Sequence, residues 1–386
     1  MVTAIDASNI RAGGGITHLA ECLGALDAME LGLKRVVVFG GLETLARLPE
    51  RGWLEKNCPP MLRQGAAARF WWRQFELTRA VSDSADVLLV PGGSYSGSFR
   101  PYVAFAQNLL PFDAYEKARE GFTLKGARRR LLSWMQTRTF RRADGVIYMT
   151  GISQAQIERS MGFGAMRSRV VHHGTNPRFF RASRPARPNS EYTPEKPFRL
   201  LYLSILEPYK HQDVVVDAVG SLLQKGVPVA LDLVGPGNPQ DQREINTRIR
   251  RWDPAEGFIK YHGMIPYEAL NEVYEKADAF IFASSCETFG IILLEAMAGG
   301  LPVICSHRSA MPEVVGNAAV YFDPLHAGSL AGAIRRVLED IGLRRTLAFQ
   351  ARHQAEQFTW EKCARETFGF VREIHEAHQR RAATPT

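Results

Sequence analysis

What the chain has little of narrows its identity before any motif is read. Its 386 residues hold five cysteines, Cys22, Cys58, Cys286, Cys305 and Cys363, odd in number, scattered and without CxxC spacing. That pattern argues against a disulfide framework and against a zinc site, and fits the reduced thiols of a cytosolic protein. No apolar run reaches the roughly 18 residues a membrane-spanning helix needs, and the opening MVTAIDASN lacks the basic and apolar regions of a secretory signal. A cytoplasmic protein is expected. RRM, KH and zinc-finger patterns are absent, which removes the usual nucleic-acid modules.

Acidic residues are scarce in the first half. Residues 1–190 carry 27 Lys+Arg against 15 Asp+Glu, a balance of +12, and residues 191–386 carry 21 against 25, a balance of −4. The basic half points to an anionic partner, whether a membrane surface, an acidic glycan or nucleic acid, beside the plainer reading of a solubilising surface. The 45% hydrophobic and 23% charged residues are globular values, and the length suits two domains.

The segment RASRPARPNSEYTPEKPF, Arg181 to Phe198, holds four prolines among polar residues and has no apolar periodicity. It reads as a linker over 183–197. Before it, over 1–182, strand-like runs alternate with helical patterns: VTAID at 2–6, RVVVF at 35–39, DVLLV at 86–90, YVAFA at 102–106, GVIYM at 145–149 and RVVHH at 169–173. A helix over Ile16–Met29 is expected from Ile16, Leu19, Ala20, Leu23 and Leu26 on one face. After the linker, over 198–360, the alternation resumes with RLLYL at 199–203, VALDLV at 229–234, FIKYH at 258–262, AFIFA at 279–283, PVICS at 302–306 and AVYF at 319–322. Two successive βαβα runs predict an α/β protein of two Rossmann-like parallel-sheet domains facing across a cleft, with ligand at the carboxyl ends of the strands. Residues 361–386, inside a strand-free tail, are expected to form a helix that crosses back to the first domain.

The stretch SSCETFGIILLEAMAGGLPV, Ser284 to Val303, carries the sharpest signal. A strand ends near Ala283, SSCETFG turns, and IILLEAMA makes a helix stopped by Gly299-Gly300. Gly290, Ile291 and Ile292 then form a helix start, a ready anion site at which glycine lets a phosphate approach the backbone. Glu287 precedes that start and Glu295 lies one turn inside it. Carboxylates repel phosphate but accept hydrogen bonds from hydroxyls, so the pair suits a diphosphate with a sugar at each end. The plainer alternative is a Ser284-x-x-Glu287 capping box with Glu295 as a helix-face charge. Lys210, after the strand in LYLSILEPYKHQ, can reach a phosphate as a point charge, or be an exposed helix-start lysine.

CETFGIILLEAMAGGLPVI resembles the E-x-F-G-x4-E signature of the family-4 retaining glycosyltransferases, and with it AIDASNIRAGGGITHLAECL, RADGVIYMTGISQAQI, LYLSILEPYKHQDVVVDA, LVGPG and MPEVVGNAAVYFDP are similar to that family. The resemblance implies the GT-B fold and a nucleotide-diphosphate-sugar donor. It implies that Glu287 and Lys210 are the catalytic pair and that Glu287 holds donor-sugar hydroxyls. Glu295 would hold the ribose, with Phe289 in the signature and Gly290, Ile291, Ile292 and Lys210 at the diphosphate. Gly14 and Gly15 of the loop Gly13-Gly14-Gly15 would approach the donor from the first domain, although GGG lacks GxGxxG spacing.

Two departures from the family pattern stand out. The arginine expected a few residues before Lys210 is replaced by Ser204, Ile205, Leu206 and Glu207, which makes Arg308 a candidate second cation. Gln107-Asn108 stands where many members carry a histidine. His18 is a further candidate for donor or acceptor contact, and His172 and His173 are read as structural. The expectation is a hexosyltransferase that retains anomeric configuration and needs no cofactor and no metal, no DxD pair being present. GDP-mannose is the favoured donor, with a bacterial surface-polysaccharide or lipid-linked acceptor and peripheral contact with an anionic membrane. Alternatives are a UDP- or dTDP-sugar donor, a nucleotide-sugar-binding protein without catalysis, and an epimerase.

Overall fold

In the computed structural model, which describes residues 1–11, 13–121, 123–181 and 185–383, the near-continuous apolar runs become parallel strands buried on both faces. Val36, Val37, Val38 and Phe39, for example, are all almost fully buried. The chain divides into two units, one of Met1–Gly174 with Phe358–Thr386, the other of Thr175–Gln357.

The first unit holds β1 (Val2–Asp6), β2 (Arg35–Phe39), β3 (Leu54–Asn57), β4 (Val87–Val90), β5 (Tyr102–Ala106), β6 (Gly145–Tyr148) and β7 (Ser168–Val170). They form one sheet in the order β3-β2-β1-β4-β5-β6-β7, every pair parallel. The second unit holds β8 (Phe198–Leu203), β9 (Val229–Val234), β10 (Ile259–Tyr261), β11 (Ala279–Phe282), β12 (Val303–Ser306) and β13 (Ala319–Phe322), in the order β10-β9-β8-β11-β12-β13, again all parallel. In each sheet the strand order reverses once, between β1 and β4 and between β8 and β11. Loops leaving neighbouring strands at such a reversal diverge to opposite faces and open a crevice at the strands' carboxyl ends.

The helix Trp360–Ala383 belongs to the first unit, where it packs on the helix Gly14–Gly24 and on β4, β5 and β6. Phe368, Phe370, Val371 and Ile374 are its buried stripe. Each such side chain stabilises by roughly 1.5–3 kcal/mol on burial. Its approach is close enough that a Cβ on Gly145 would lie 2.8 Å from the Phe370 ring.

Several sequence expectations are corrected. The helix expected over Ile16–Met29 spans Gly14–Gly24, because the Asp27 carboxylate accepts the N–H groups of Met29 and Glu30 and closes a turn instead. Gly14 and Gly15, expected in a loop, form the first turn of that helix, with Gly13 at its start at φ 70°. RVVHH is strand only to Val170. β3 escaped notice because LEKN is a charged edge strand with no apolar alternation. Ala182, Ser183 and Arg184, where the linker was expected to begin, lie outside the described residues. Beyond them the segment packs within the second unit: Arg187 pairs with Asp278 at 2.8 Å and Arg344 donates to the Arg187 carbonyl at 2.7 Å.

Candidate functional site

Lys210 follows β8 and Glu287 follows β11, so the two loops that leave the strand reversal of the second sheet carry both residues. The first loop is held from below. Gln212 Nε2 donates to Ser204 Oγ at 2.7 Å and to the Ile205 carbonyl at 2.6 Å, and the Tyr202 hydroxyl donates to the Lys210 carbonyl. His211 takes a left-handed conformation (φ 52°, ψ 39°), which turns the chain sharply from the 3-10 turn Pro208–Lys210 into the helix Gln212–Leu223. The two loops are also stapled together. The Ser285 N–H donates to the Tyr209 carbonyl at 2.9 Å, and His211 Nε2 lies 2.8 Å from Ser285 Oγ.

Within this frame Lys210 Nζ forms an ion pair with Glu287 Oε1, and both side chains are mostly buried, 9% and 17% exposed. The ammonium lies 5.1 Å from the centre of the Tyr209 ring and 5.5 Å from that of Phe282, within cation–π range. Burial, reinforced by the negative charge of Glu287, pushes the Tyr209 hydroxyl far above the ordinary phenol range, so it stays neutral. Glu287 is fixed through its backbone: its N–H donates to Ser309 Oγ at 2.9 Å, and the same hydroxyl donates to its carbonyl at 2.7 Å. This gives Glu287 a partner other than Ser284. A lysine and a carboxylate paired where water is scarce form a charged site that another anion or a set of hydroxyls can share.

From Glu287 the loop runs into the helix Ile291–Ala298 through Gly290, whose φ of 96° only glycine takes readily. A Cβ there would also meet the Phe282 ring at 3.4 Å. The first N–H groups of the helix, beginning with Ile291 and Ile292, have no acceptor within it, which makes its start electropositive. Phe289 is buried beneath that start. Glu295 is 3% exposed and turned toward two phenols: the Tyr274 hydroxyl donates at 3.0 Å and the Tyr267 hydroxyl at 3.4 Å. Burial first, then the charge of Glu295, holds Tyr274 well above the usual phenol range. A buried carboxylate satisfied by hydroxyls is the environment that a ribose would reproduce.

The remaining candidates have partners of their own. Arg308, after β12, ion-pairs with Asp323 at 3.3 Å. In the first unit a Cβ on Gly15 would lie 3.8 Å from Gln107 Oε1, while Asn108 Oδ1 accepts the Leu110 N–H at 3.2 Å, and both amide side chains are half-buried. His18 is 2% exposed, with its Nδ1 2.7 Å from Nδ1 of His173. Sequence reasoning missed Ser309, Ser285 and the two tyrosines facing Glu295, since they come from loops and helices with no motif spacing. It also missed Asp6, buried at the end of β1, whose carboxyl is raised by burial although Ser8 Oγ donates to it at 2.5 Å. An acid closing an apolar strand just before a glycine run is the signal that could have drawn attention to Asp6.

Residues 183–354, a span wholly inside the second unit, match the family described as glycosyl transferases group 1. The chain is 32% identical over 167 residues, 43% of its length, to the O-antigen chain mannosyltransferase B of Escherichia coli, of which the match covers 44%. The chain spans about half the length of the curated relatives it matches. Among solved structures, sucrose-phosphate synthase from Thermosynechococcus elongatus superposes with a TM-score of 0.75 over 98% of this chain and 100% of that one, at 21% identity. Anabaena HepE in complex with UDP-glucose gives 0.70 over 98% and 100%, at 19% identity. These likenesses identify the fold as GT-B.

Proposed function

We propose that the chain is a retaining hexosyltransferase that moves a sugar from a nucleotide-diphosphate donor to a hydroxyl of a surface-polysaccharide or lipid-linked glycan. The observation that carries this reading is the Lys210–Glu287 pair at the strand reversal of the second sheet, beside the helix start at Gly290. In it Lys210 and the N–H groups of Ile291 and Ile292 receive the diphosphate, Glu287 accepts hydroxyls of the sugar, and Glu295 those of the ribose. Charge collecting on the departing diphosphate meets a fixed cation and fixed dipoles, and one such contact is worth roughly 3–4 kcal/mol in other enzymes. The phosphate oxygen that leaves takes the acceptor's proton on the same face of the sugar, so neither a protein base nor a metal is required. The match to an O-antigen mannosyltransferase favours mannose, and the likeness to a mannosyltransferase described as GDP-mannose-dependent favours GDP-mannose as the donor. A UDP-sugar is the second reading, supported by the UDP-glucose bound to the Anabaena neighbour.

Melting the protein with a panel of nucleotide sugars tests the reading. The true donor raises the melting temperature, since ligand at a hundredfold excess over Kd adds about 2.7 kcal/mol. With that donor and a glycan acceptor, transfer continues in EDTA. Stabilisation without any glycosylated product would make the chain a binding protein, isomerised donor would make it an epimerase, and activity lost in EDTA and restored by Mn²⁺ would defeat the metal-free mechanism.

We assign acceptor uptake to the first unit. Its helix Leu124–Arg142 buries Gln136, Thr139 and Phe140, leaving Leu131 and Trp134 about 60% exposed among arginines. Phe70, Trp71 and Phe75 are half or more exposed on another segment of the same unit. No helix among the described residues is long and apolar enough to cross a membrane. Aromatic side chains with neighbouring cations suit reversible attachment to an anionic bilayer, at about 1 kcal/mol per cation near the surface. The protein should therefore pellet with anionic vesicles at low salt and not at high salt. A protein that stays in the supernatant at low salt has a soluble acceptor instead.

A further inference from the structure

The histidine after the glycine run belongs to a second cluster of side chains, inside the first unit. His18 and Cys22 stand four residues apart on the helix Gly14–Gly24, and so on one face, while Cys363 comes from the helix Trp360–Ala383 packed against it. One ring nitrogen of His18 and the sulfurs of Cys22 and Cys363 lie within 4.8 Å of one another, and the three residues are 1–3% exposed. A tetrahedral zinc with Zn–S near ~2.3 Å and Zn–N near ~2.0 Å spaces its ligands at about 3.5–3.8 Å, so a contraction of about an ångström would bring these three ligands to bonding distance and leave the fourth position to a small exogenous ligand. We propose that His18, Cys22 and Cys363 form a structural site for a soft, zinc-class cation.

Three features favour it. Two thiolates and a neutral imidazole cancel a divalent charge, so the occupied site is neutral and its burial is not penalised. Each thiol loses one proton to solvent as its sulfur binds the metal. Second, the His18 ring is already held through one nitrogen: its Nδ1 lies 2.7 Å from Nδ1 of His173, which leaves Nε2 for the metal. Third, the His18 ring is fixed edge-on by Phe105 at 5.2 Å and Trp360 at 5.8 Å between centroids. Because the cation displaces a proton from each thiol, binding should tighten as pH rises. The wide separation in sequence concealed this group from spacing arguments, which argued against a zinc site.

Metal analysis of the freshly purified full-length chain should find about one zinc per molecule. Protein stripped of metal and titrated with Co²⁺ should develop thiolate-to-cobalt charge-transfer absorption, displaced by Zn²⁺. Cys22→Ser and Cys363→Ser should each abolish that absorption, and His173→Ala should weaken zinc about 10–100-fold. Cys58→Ser, at a half-buried thiol outside the cluster, should change nothing. The wild-type titration stands even if a cysteine variant fails to fold. A stripped wild-type chain that takes up neither Zn²⁺ nor Co²⁺, or unreduced protein lighter by two hydrogens through a Cys22–Cys363 disulfide, would overturn the proposal.

Discussion

If the chain is the proposed transferase, Lys210→Ala is expected to lower turnover by about a hundredfold or more with the donor saturating, equivalent to about 2.7 kcal/mol of lost transition-state stabilisation. The reason is the setting of the ammonium. Its side chain is 9% exposed, its nearest counter-charge is Glu287, and the aromatic rings of Tyr209 and Phe282 line it. Little water is available to screen it, so its attraction for an anion grows steeply as charge gathers on the leaving diphosphate. Because the effect is largest in the transition state, kcat should fall by more than donor affinity. Initial rates of nucleoside diphosphate release measure it, with circular dichroism to verify folding. The loss of the cation also leaves Glu287 without its partner, so Lys210→Ala/Glu287→Gln separates the two effects: it should recover stability but not turnover. Near-normal turnover in Lys210→Ala would move the cation's role to Arg308.

Gly235→Ala is expected to destabilise the second unit by about 4 kcal/mol or more, among the largest effects a single substitution produces. Gly235 follows β9 at φ 140°, and a Cβ on it would stand 1.9 Å from the carbonyl oxygen of Ser204. Neither side can give way. The Gly235 N–H donates to the Gly263 carbonyl at 2.7 Å, and the Tyr261 hydroxyl donates to the Gly235 carbonyl at 2.8 Å. Ser204 begins the loop that carries Lys210, so any relief of the clash displaces that lysine as well. A fall in melting temperature of roughly 8–16 °C follows for a unit of this size. Gly257→Ala is the control, since a Cβ there meets nothing within 4 Å. If Gly235→Ala melts with the wild type, the close packing of the two loops is not what holds the lysine in place.

Much of this architecture could be read in the sequence, for a physical reason. Parallel strands covered on both faces must be apolar throughout, so RVVVF and VALDLV announce themselves, and Val229–Val234 and Arg35–Phe39 are strands to the residue. LEKN does not, because an edge strand is free to carry charge. The pairing of Lys210 with Glu287 was legible only as two separate candidates: they stand 77 positions apart in the sequence, and the strand order that makes their loops neighbours is a tertiary property. The surroundings of Glu295 were hidden for a similar reason. A glutamate in ILLEAMA reads as a buried charge in need of partners, but Tyr267 and Tyr274, which supply hydroxyls, come from a segment 21 to 28 positions earlier, and their approach to Glu295 is a tertiary property. The proline-rich stretch misled because proline and polar composition also describe a segment that is wrapped over a surface and hydrogen-bonded there, as Arg187 and Asn189 are to Arg344.

The return of the chain to the first unit has a consequence for biosynthesis. Phe368, Phe370 and Ile374 complete the packing over β4, β5 and β6, yet they are translated after every residue of the second unit. On a ribosome that adds about 5–20 residues per second, the second unit can therefore finish folding while the first still waits for part of its core. During that interval the apolar surface around Gly145 and the helix Gly14–Gly24 is uncovered, which makes the nascent first unit a client for chaperones. Premature termination near residue 357 would strand it in that state, and the damage would fall on the amino-terminal half of the molecule rather than on the half that was cut short.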